Sequence, residues 1–371
     1  MKAVIDFWRR NSDRLLGRGE AAVTLPPMDG ALLPNNVLEQ ARKVAELPQI
    51  DNLVMHEGRL LCSAGHRLWA WQADTGLQPQ VEFDAAVAAL VSLPDGPLLA
   101  ALVDGSLHRV TGAGAERLQG LAGFDGFCPT AMVAVDSHTL VLTEGSSHHL
   151  AHEWKRDLMS RERSGRVWRL DLAAGRAQLL ASGLGWAGGA ALTADGQVVV
   201  SESWSHRLCT IPLDGAARRA PQPVLSELPA YPGRLVPAAG GGYWLPLFAP
   251  RSQLVEFVLR EAGYRARMMA EIAEPFWVAP ALESGSDFRE PLQGGAIKSM
   301  GVLKPWAPTR SYGLVVRLDA QFNPLFSLHS RADGRRHGVT SVLEHQQQLW
   351  VASQGGRCLL SLTAGDGGEW A

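Results

Sequence analysis

Six stretches of this chain share one design: an apolar run, a few small or polar residues carrying a turn, then a second alternating run. They are residues 60–71 (LLCSAGHRLWAW), 98–110 (LLAALVDGSLHRV), 140–147 resumed at 165–170, 198–211 (VVVSESWSHRLCTI), 243–257, and 349–362 (LWVASQGGRCLLSL). Alternation with a period of two is the mark of a strand with one face turned to each neighbour. Upstream of each pair lies another short run, at 51–55, 87–93, 130–135, 189–192, 234–237 and 339–343. Three or four strands per unit, at spacings of about 40 residues or more, suit the blades of a propeller. The expected fold is all-β: a six-bladed β-propeller.

Composition agrees with that reading. The 39 Gly and 22 Pro are spread through 371 residues, which fits many short strands joined by turns. Residues 1–40 are expected to form an N-terminal helix and lead-in segment, and 41–371 a single propeller domain. Within the first of these, Ala3, Val4, Phe7, Trp8 and Leu15 make one helical face. The fifth and sixth units lie far apart, and the excess falls in 272–312. This predicts a long loop insertion before the last blade, laid over one face, where loops commonly shape a ligand pocket.

Several function classes drop out. The formal charge is −2 and no long run of like charge occurs, so the electrostatic footprint for nucleic acid is missing. No stretch is apolar enough for a membrane span or a cleavable signal, and a cytoplasmic protein is expected. Cys62, Cys128, Cys209 and Cys358 are far apart with no C-x-x-C spacing, so buried free thiols are expected. There is no nucleophile elbow, phosphate loop or dinucleotide fingerprint.

A propeller also dictates where to look, because the starts of its inner strands converge on one mouth of the central channel. The converging set is Asp51, Asn52, Thr130, Gly188, Arg234 and Thr340. A guanidinium there suits bidentate recognition of a carboxylate or phosphate. Equally, Arg234 can pair with Asp51 or Glu202 and plug the channel.

Residues 142–172 (LTEGSSHHLAHEWKRDLMSRERSGRVWRLDL) place His148, His149, His152 and Glu153 between two strands of the third unit. A metal site is one reading of that loop and a solvated or pocket-lining loop is the other; H-E-x-x-H is absent. A neutral histidine can also serve as a general base. His149 and His152 are candidates, as is His337, just ahead of the last inner strand. Trp186, Trp204 and Trp244 near strand ends, with Phe276, Trp277 and Trp306 in the excursion, form either an aromatic rim for an apolar ligand or packing between blades.

Eight motifs then carry a family resemblance: LLPNNVLEQA (32–41), TEGSS (143–147), SGRVWRLDL (164–172), GWAGGAALTADG (185–196), SESWSHRL (201–208), LPAYPGRL (228–235), YGLVVRLD (312–319) and HGVTSVLEHQQQLWVAS (337–353). In this order, over nearly the whole chain, they resemble the strictosidine synthase-like propellers, relatives of the gluconolactonase and paraoxonase families. The resemblance implies a channel calcium ion held by an acidic residue of the first blade, here Asp51, and by Asn side chains of later inner strands. At those two later positions this chain has Gly188 and Arg234. The plant enzyme that names the family condenses an amine with an aldehyde and depends on a glutamate, whose place is taken here by Thr340. A threonine hydroxyl does not titrate near neutral pH.

The resulting expectation is a small-molecule enzyme working in the central pocket, lactone or ester hydrolase-like or condensing. Its cofactor is none or a divalent cation such as calcium. Asp51, His149, His152 and His337 form the catalytic set, with Asp51 also the metal candidate. Asn52, Thr130, Glu202, Trp204, Arg234, Trp244 and Thr340 form the substrate-binding set. The alternative is a non-catalytic propeller that binds an anionic or aromatic small ligand or a protein partner, and an oligomer is left open.

Overall fold

The computed structural model of the protein describes residues 25–112, 114–214, 220–285, 287, 289–291 and 310–363. Its strands form six antiparallel sheets. The first four blades are β2 (Ile50–His56), β3 (Arg59–Ala64), β4 (Arg67–Gln72) and β5 (Gly76–Glu82); β6 (Val87–Ser92), β7 (Leu98–Leu102), β8 (Leu107–Thr111) and β9 (Gly114–Arg117); β10 (Pro129–Ala134), β11 (Thr139–Glu144), β12 (Gly165–Asp171) and β13 (Arg176–Leu184); and β14 (Ala187–Leu192), β15 (Gln197–Glu202), β16 (Arg207–Pro212) and β17 (Gln222–Leu225). The fifth holds β18 (Ala230–Pro232), β19 (Val236–Pro237), β20 (Tyr243–Pro250), β21 (Gly313–Leu318) and β22 (Pro324–Ser330). The sixth holds β23 (Val339–His345), β24 (Gln348–Ser353) and β25 (Cys358–Thr363), and its outer edge is β1 (Arg42–Glu46), so the start of the chain closes the ring on its end. First strands of neighbouring blades touch around the channel: β2 with β6, β6 with β10, β10 with β14, β14 with β19, and β23 with β2.

The core is not one mass but six layers, one between each pair of neighbouring blades. The alternation along β7 shows why. Leu98, Ala100 and Leu102 pack toward the first blade, while Leu99 and Ala101 pack toward the third, as successive side chains on a strand must. A strand buried on both faces reads as an unbroken apolar run, and each large side chain so buried contributes about 1.5–3 kcal/mol. The four cysteines are free and buried; burial pushes the Cys62, Cys128 and Cys209 thiols up to about 12.

Five inner strands carry an irregularity at the same place. Asn52 and Leu53, Ala88, Thr130, Gly188 and Thr340 are skipped in the pairing of β2, β6, β10, β14 and β23 with their second strands. A β-bulge leaves its extra residue outside the ladder and re-aims the backbone there. All five bulges lie at the strand starts. The connections from second to third strand leave the second strand at that same end, after Glu144, Glu202 and Pro250.

The insertion expected ahead of the last blade leaves the fifth blade between β20 and β21. One part of the repeat reading is corrected: residues 253–257 are not a strand. Helix α3 (Gln253–Arg260) begins there, capped by Ser252 Oγ accepting from the Val255 amide at 3.2 Å. Val255, Val258 and Leu259, at the i, i+3, i+4 spacing of a helical face, are buried. Helix α4 (Ala262–Glu271) follows. Both pack on α2 (Trp154–Ser160), from the histidine-rich connection of the third blade. Arg161 donates to the Leu259 carbonyl at 3.2 Å, and Arg265 to that of Met159.

The helix expected over residues 3–15 lies outside the described residues. A short helix, α1 (Val37–Gln40), does precede β1 and buries Leu38 between the fifth and sixth blades. Its lead-in docks on β22, where Asn35 donates to the Ser327 carbonyl at 2.8 Å and Ser327 Oγ donates to that of Ala31. Since that hydroxyl is a donor to Ala31, it accepts from His329 Nε2 at 2.7 Å. Nδ1 of the same ring accepts from Tyr312 at 3.1 Å, and a neutral imidazole is fully satisfied.

Burial pushes the His329 ring down to about 4 from its ordinary 6.5. The stability it confers is complete above pH 6.5 and drains away as pH falls toward 4, by about 3 kcal/mol in all. Urea unfolding at pH 7 and pH 4.5 should show that loss in the native chain and a smaller one in His329→Gln.

Candidate functional site

Two groups of residues come together at the face where the inner strands begin. The first is the channel. Arg234 follows β18, and its guanidinium donates to oxygens on four other blades: Nε to the Thr130 carbonyl at 2.7 Å, one terminal nitrogen to Asp51 Oδ1 at 2.6 Å and the Thr340 carbonyl at 3.4 Å, and the other to the Ala88 carbonyl at 2.9 Å. Ala88, Thr130 and Thr340 are bulge residues, which is why their carbonyls are available. Glu202 is not a partner. That carboxylate is fully buried among Arg163, Arg207 and the Gly185 amide.

Asn52 sits beside Asp51 with φ 53°, buried, its amide donating to Ser63 Oγ at 2.8 Å. Thr130 Oγ1 bonds Thr143 and the Ala187 carbonyl. Thr340 Oγ1 is buried with no hydrogen-bond partner.

A calcium ion seeks six or more oxygens, and these residues do not fit one. The Asp51 oxygen and the bulge carbonyls already accept from a guanidinium that carries its own positive charge. Gly188 offers no ligand side chain, and a Cβ there would meet Ser203 Oγ at 2.6 Å. Gly189 is equally constrained, since a Cβ there would lie 2.5 Å from the Arg234 Cα. The absence of a side chain lets β14 approach the backbone that aims the arginine.

The second group lies under the helical cap. His149 Nδ1 is 3.2 Å from Asp157 Oδ2, and Trp204 Nε1 donates to Asp157 Oδ1 at 2.7 Å. Asp157, on α2, is 1% exposed, whereas His149 keeps 15% of its side chain in contact with solvent. A carboxylate only accepts, so Nδ1 carries a proton, and in the neutral ring Nε2 carries the lone pair. The loop is set by Ser146 Oγ, which accepts from the amides of His148 and His149 at 3.1 Å each.

Half-buried Trp154, Trp204 and Phe248 form an aromatic cluster joined to this pair through Trp204, with ring centroids 5.5–6.3 Å apart. Phe248 extends the aromatic surface to the backbone beside Arg234, since a Cβ on Gly233 would stand 3.7 Å from its ring. Trp186 and Tyr231 back Trp204 from below. Lys155, 3.8 Å from Glu274, is held below the usual lysine range by burial, with Glu274 opposing. His149, Asp157 and Glu162 each offer one ligand atom within 4.8 Å of the others, the set among the described residues that a metal ion could use.

The remaining expected residues are placed elsewhere. His152 is exposed. His337 is buried: Nε2 donates to the Arg331 carbonyl at 2.8 Å and Nδ1 accepts from Ser311 Oγ at 2.8 Å. Neither nitrogen is left to take a proton from a substrate. Trp244 is fully buried between the fifth and sixth blades, its indole donating to Glu344 at 2.6 Å. Six residues of strand, roughly 20 Å, separate it from the face end of β20. Trp277 lies in the packing of the cap, and Trp306 falls outside the described residues.

Asp157, Trp154 and Phe248 were missed by sequence reasoning. The available signal was Trp154 and Leu158 at helical spacing, which places Asp157 on a helix facing back toward the loop.

The comparisons agree with this architecture. The strictosidine synthase family matches residues 131–211, the third and fourth blades. No curated protein matches the chain in sequence. Among solved structures, a gluconolactonase from Xanthomonas campestris aligns with TM-score 0.56 at 16% identity, covering 92% of this chain and 95% of its own. A protein provisionally described as a gluconolactonase gives 0.54 at 14%, covering 87% and 91%. A luciferin-regenerating enzyme gives 0.52 at 12%, covering 85% and 86%. At these identities the solved structures speak for the fold alone. The chain is thus a six-bladed β-propeller whose third and fourth blades resemble the strictosidine synthase family in sequence.

Proposed function

We propose that the protein is a small-molecule hydrolase, acting on a lactone or an ester with an apolar or aromatic body, and that His149 is its general base. The observation that carries this reading is the buried Asp157 carboxylate, fixed by the Trp204 indole on one oxygen and holding the His149 ring on the other. Such a pair orients an imidazole with its second nitrogen free to accept a proton. In the reaction, Nε2 takes the proton of an attacking water, the water oxygen bonds the acyl carbon, and the acyl C–O bond breaks. The leaving alkoxide takes that proton back from Nε2, which restores the neutral ring, and the product from a lactone is a hydroxy acid. Trp154, Trp204 and Phe248 supply the surface for the substrate body.

The likeness to gluconolactonase structures supports the substrate class only through the fold. The free, buried thiols support a cytoplasmic setting.

A panel of lactones and aryl esters tests the proposal. Hydrolysis by the native chain should persist in chelator and fall by about 10²–10⁴ in His149→Gln. Activity lost on chelation would instead put a metal ion on His149, Asp157 and Glu162. A panel that stays intact, with aromatic carboxylates binding at Trp154 and Trp204, would favour the non-catalytic reading. A condensing activity is the second enzymatic reading, and Lys155, with its lowered basicity beside Trp154, is the observation in its favour.

A further inference from the structure

The central channel holds an unusual set of atoms. Bulges at the starts of the inner strands free the carbonyls of Ala88, Thr130 and Thr340 from the ladder, and Asp51 adds a carboxylate on the first blade. Four oxygens from four blades converging on one point are a cage for a cation. The group inside it is the guanidinium of a fifth blade, reaching all four.

We propose that Arg234 is a covalently attached cation that fills a divalent-cation cage at the hub of the ring, so that the protein is closed without a metal. The corollary is that removing the guanidinium leaves a latent site for a hard cation such as calcium.

Three features argue for a built cage rather than an incidental ion pair. Arg234 spends most of its donors on backbone carbonyls, which an arginine needing only a counter-ion would leave to water. Asp51 and Arg234 are 18% and 19% exposed, so the pair sits well inside the mouth, where an unpaired charge is costly. The backbone that aims the side chain is also fixed, since Gly189 passes so close to the Arg234 Cα that no other residue fits there unstrained. This inference is independent of the hydrolase reading, because the His149–Asp157 pair touches none of these atoms.

The test uses the full chain and calcium chloride as probe, read by thermal shift and by isothermal titration. Native protein should bind no calcium and melt at the same temperature in calcium and in chelator. Arg234→Asn should melt roughly 5–10 °C lower in chelator, recover much of that on adding calcium, and bind about one ion per chain. Adding Asp51→Asn should abolish the binding.

Stoichiometric calcium on the native protein would overturn the proposal. So would an Arg234→Asn variant that melts like the native chain and binds nothing. Should Arg234→Asn stay insoluble with and without calcium, Arg234→Lys decides. It keeps the charge but cannot reach four oxygens, and should fold with a lowered melting temperature and no calcium response. A lysine variant as stable as the native protein would sink the idea.

Discussion

Asp157→Asn should cut kcat on the best lactone or ester by about 10²–10⁴ while leaving KM within a few fold. The carboxylate accepts from two donors at once, Trp204 Nε1 on one oxygen and His149 Nδ1 on the other. An asparagine presents one acceptor and one amide donor in the same space. If its oxygen keeps Trp204, its amide faces His149 and the imidazole must turn Nδ1 into an acceptor. The proton then moves to Nε2, and the nitrogen meant to deprotonate water is blocked. If the oxygen keeps His149, the buried indole loses its partner instead and the aromatic surface shifts.

Single-turnover kinetics with a fluorescent aryl ester separate the two. The first outcome lowers the chemical step alone; the second weakens substrate binding as well. Equal kcat in Asp157→Asn and the native protein would end the assignment of His149 as base. In the chemical step Asp157 acts through His149, so in single-turnover rate the double variant with His149→Gln should lose no more than the larger single loss.

The sixfold repeat was legible because its signal is local. Two-residue alternation needs only neighbours, and strand–turn–strand units at 60–71, 98–110 and 198–211 appear in the structure as β3–β4, β7–β8 and β15–β16. The inner-strand starts were legible for the same reason, and the channel gathers Asp51, Thr130, Arg234 and Thr340 as their positions demand. What the sequence did not carry was one-residue geometry. A bulge inserts one residue without changing composition, so nothing in the letters of Ala88 or Thr340 says that their carbonyls turn inward.

The cap was misjudged for another reason. Residues 253–259 are apolar at both strand-like and helix-like spacing, and short runs of that kind leave the period ambiguous. The Ser252 cap was the signal that favoured a helix. Around α2 the histidines drew attention away from Trp154, Asp157 and Leu158, whose spacing places Asp157 where His149 needs it.

Glu202 carries the remaining lesson, and its twin carries the second large effect. Glu144 and Glu202 end the second strands of the third and fourth blades, each opposite an arginine, Arg166 and Arg207. Each accepts from that arginine and from a backbone amide of the preceding connection, Phe127 and Gly185. A carboxylate recurring at one place in two blades holds the blade rather than a substrate.

Glu144 is fully buried and also takes the Trp168 indole at 2.5 Å. Glu144→Ala strands the Trp168 and Phe127 N–H groups and leaves Arg166, 15% exposed, with only Asp125. Breaking a buried pair by removing one partner costs about 3–5 kcal/mol, and urea unfolding should show an unfolding free energy lowered by that amount. Glu144→Gln should recover little, because its amide turns a donor toward donors. Replacing both partners, Glu144→Leu with Arg166→Met, should recover much of the loss, since two apolar side chains leave no charge unpaired. A double variant no better than Glu144→Ala would mean that the lost anchor to the Phe127 amide, not the unpaired Arg166 charge, sets the cost.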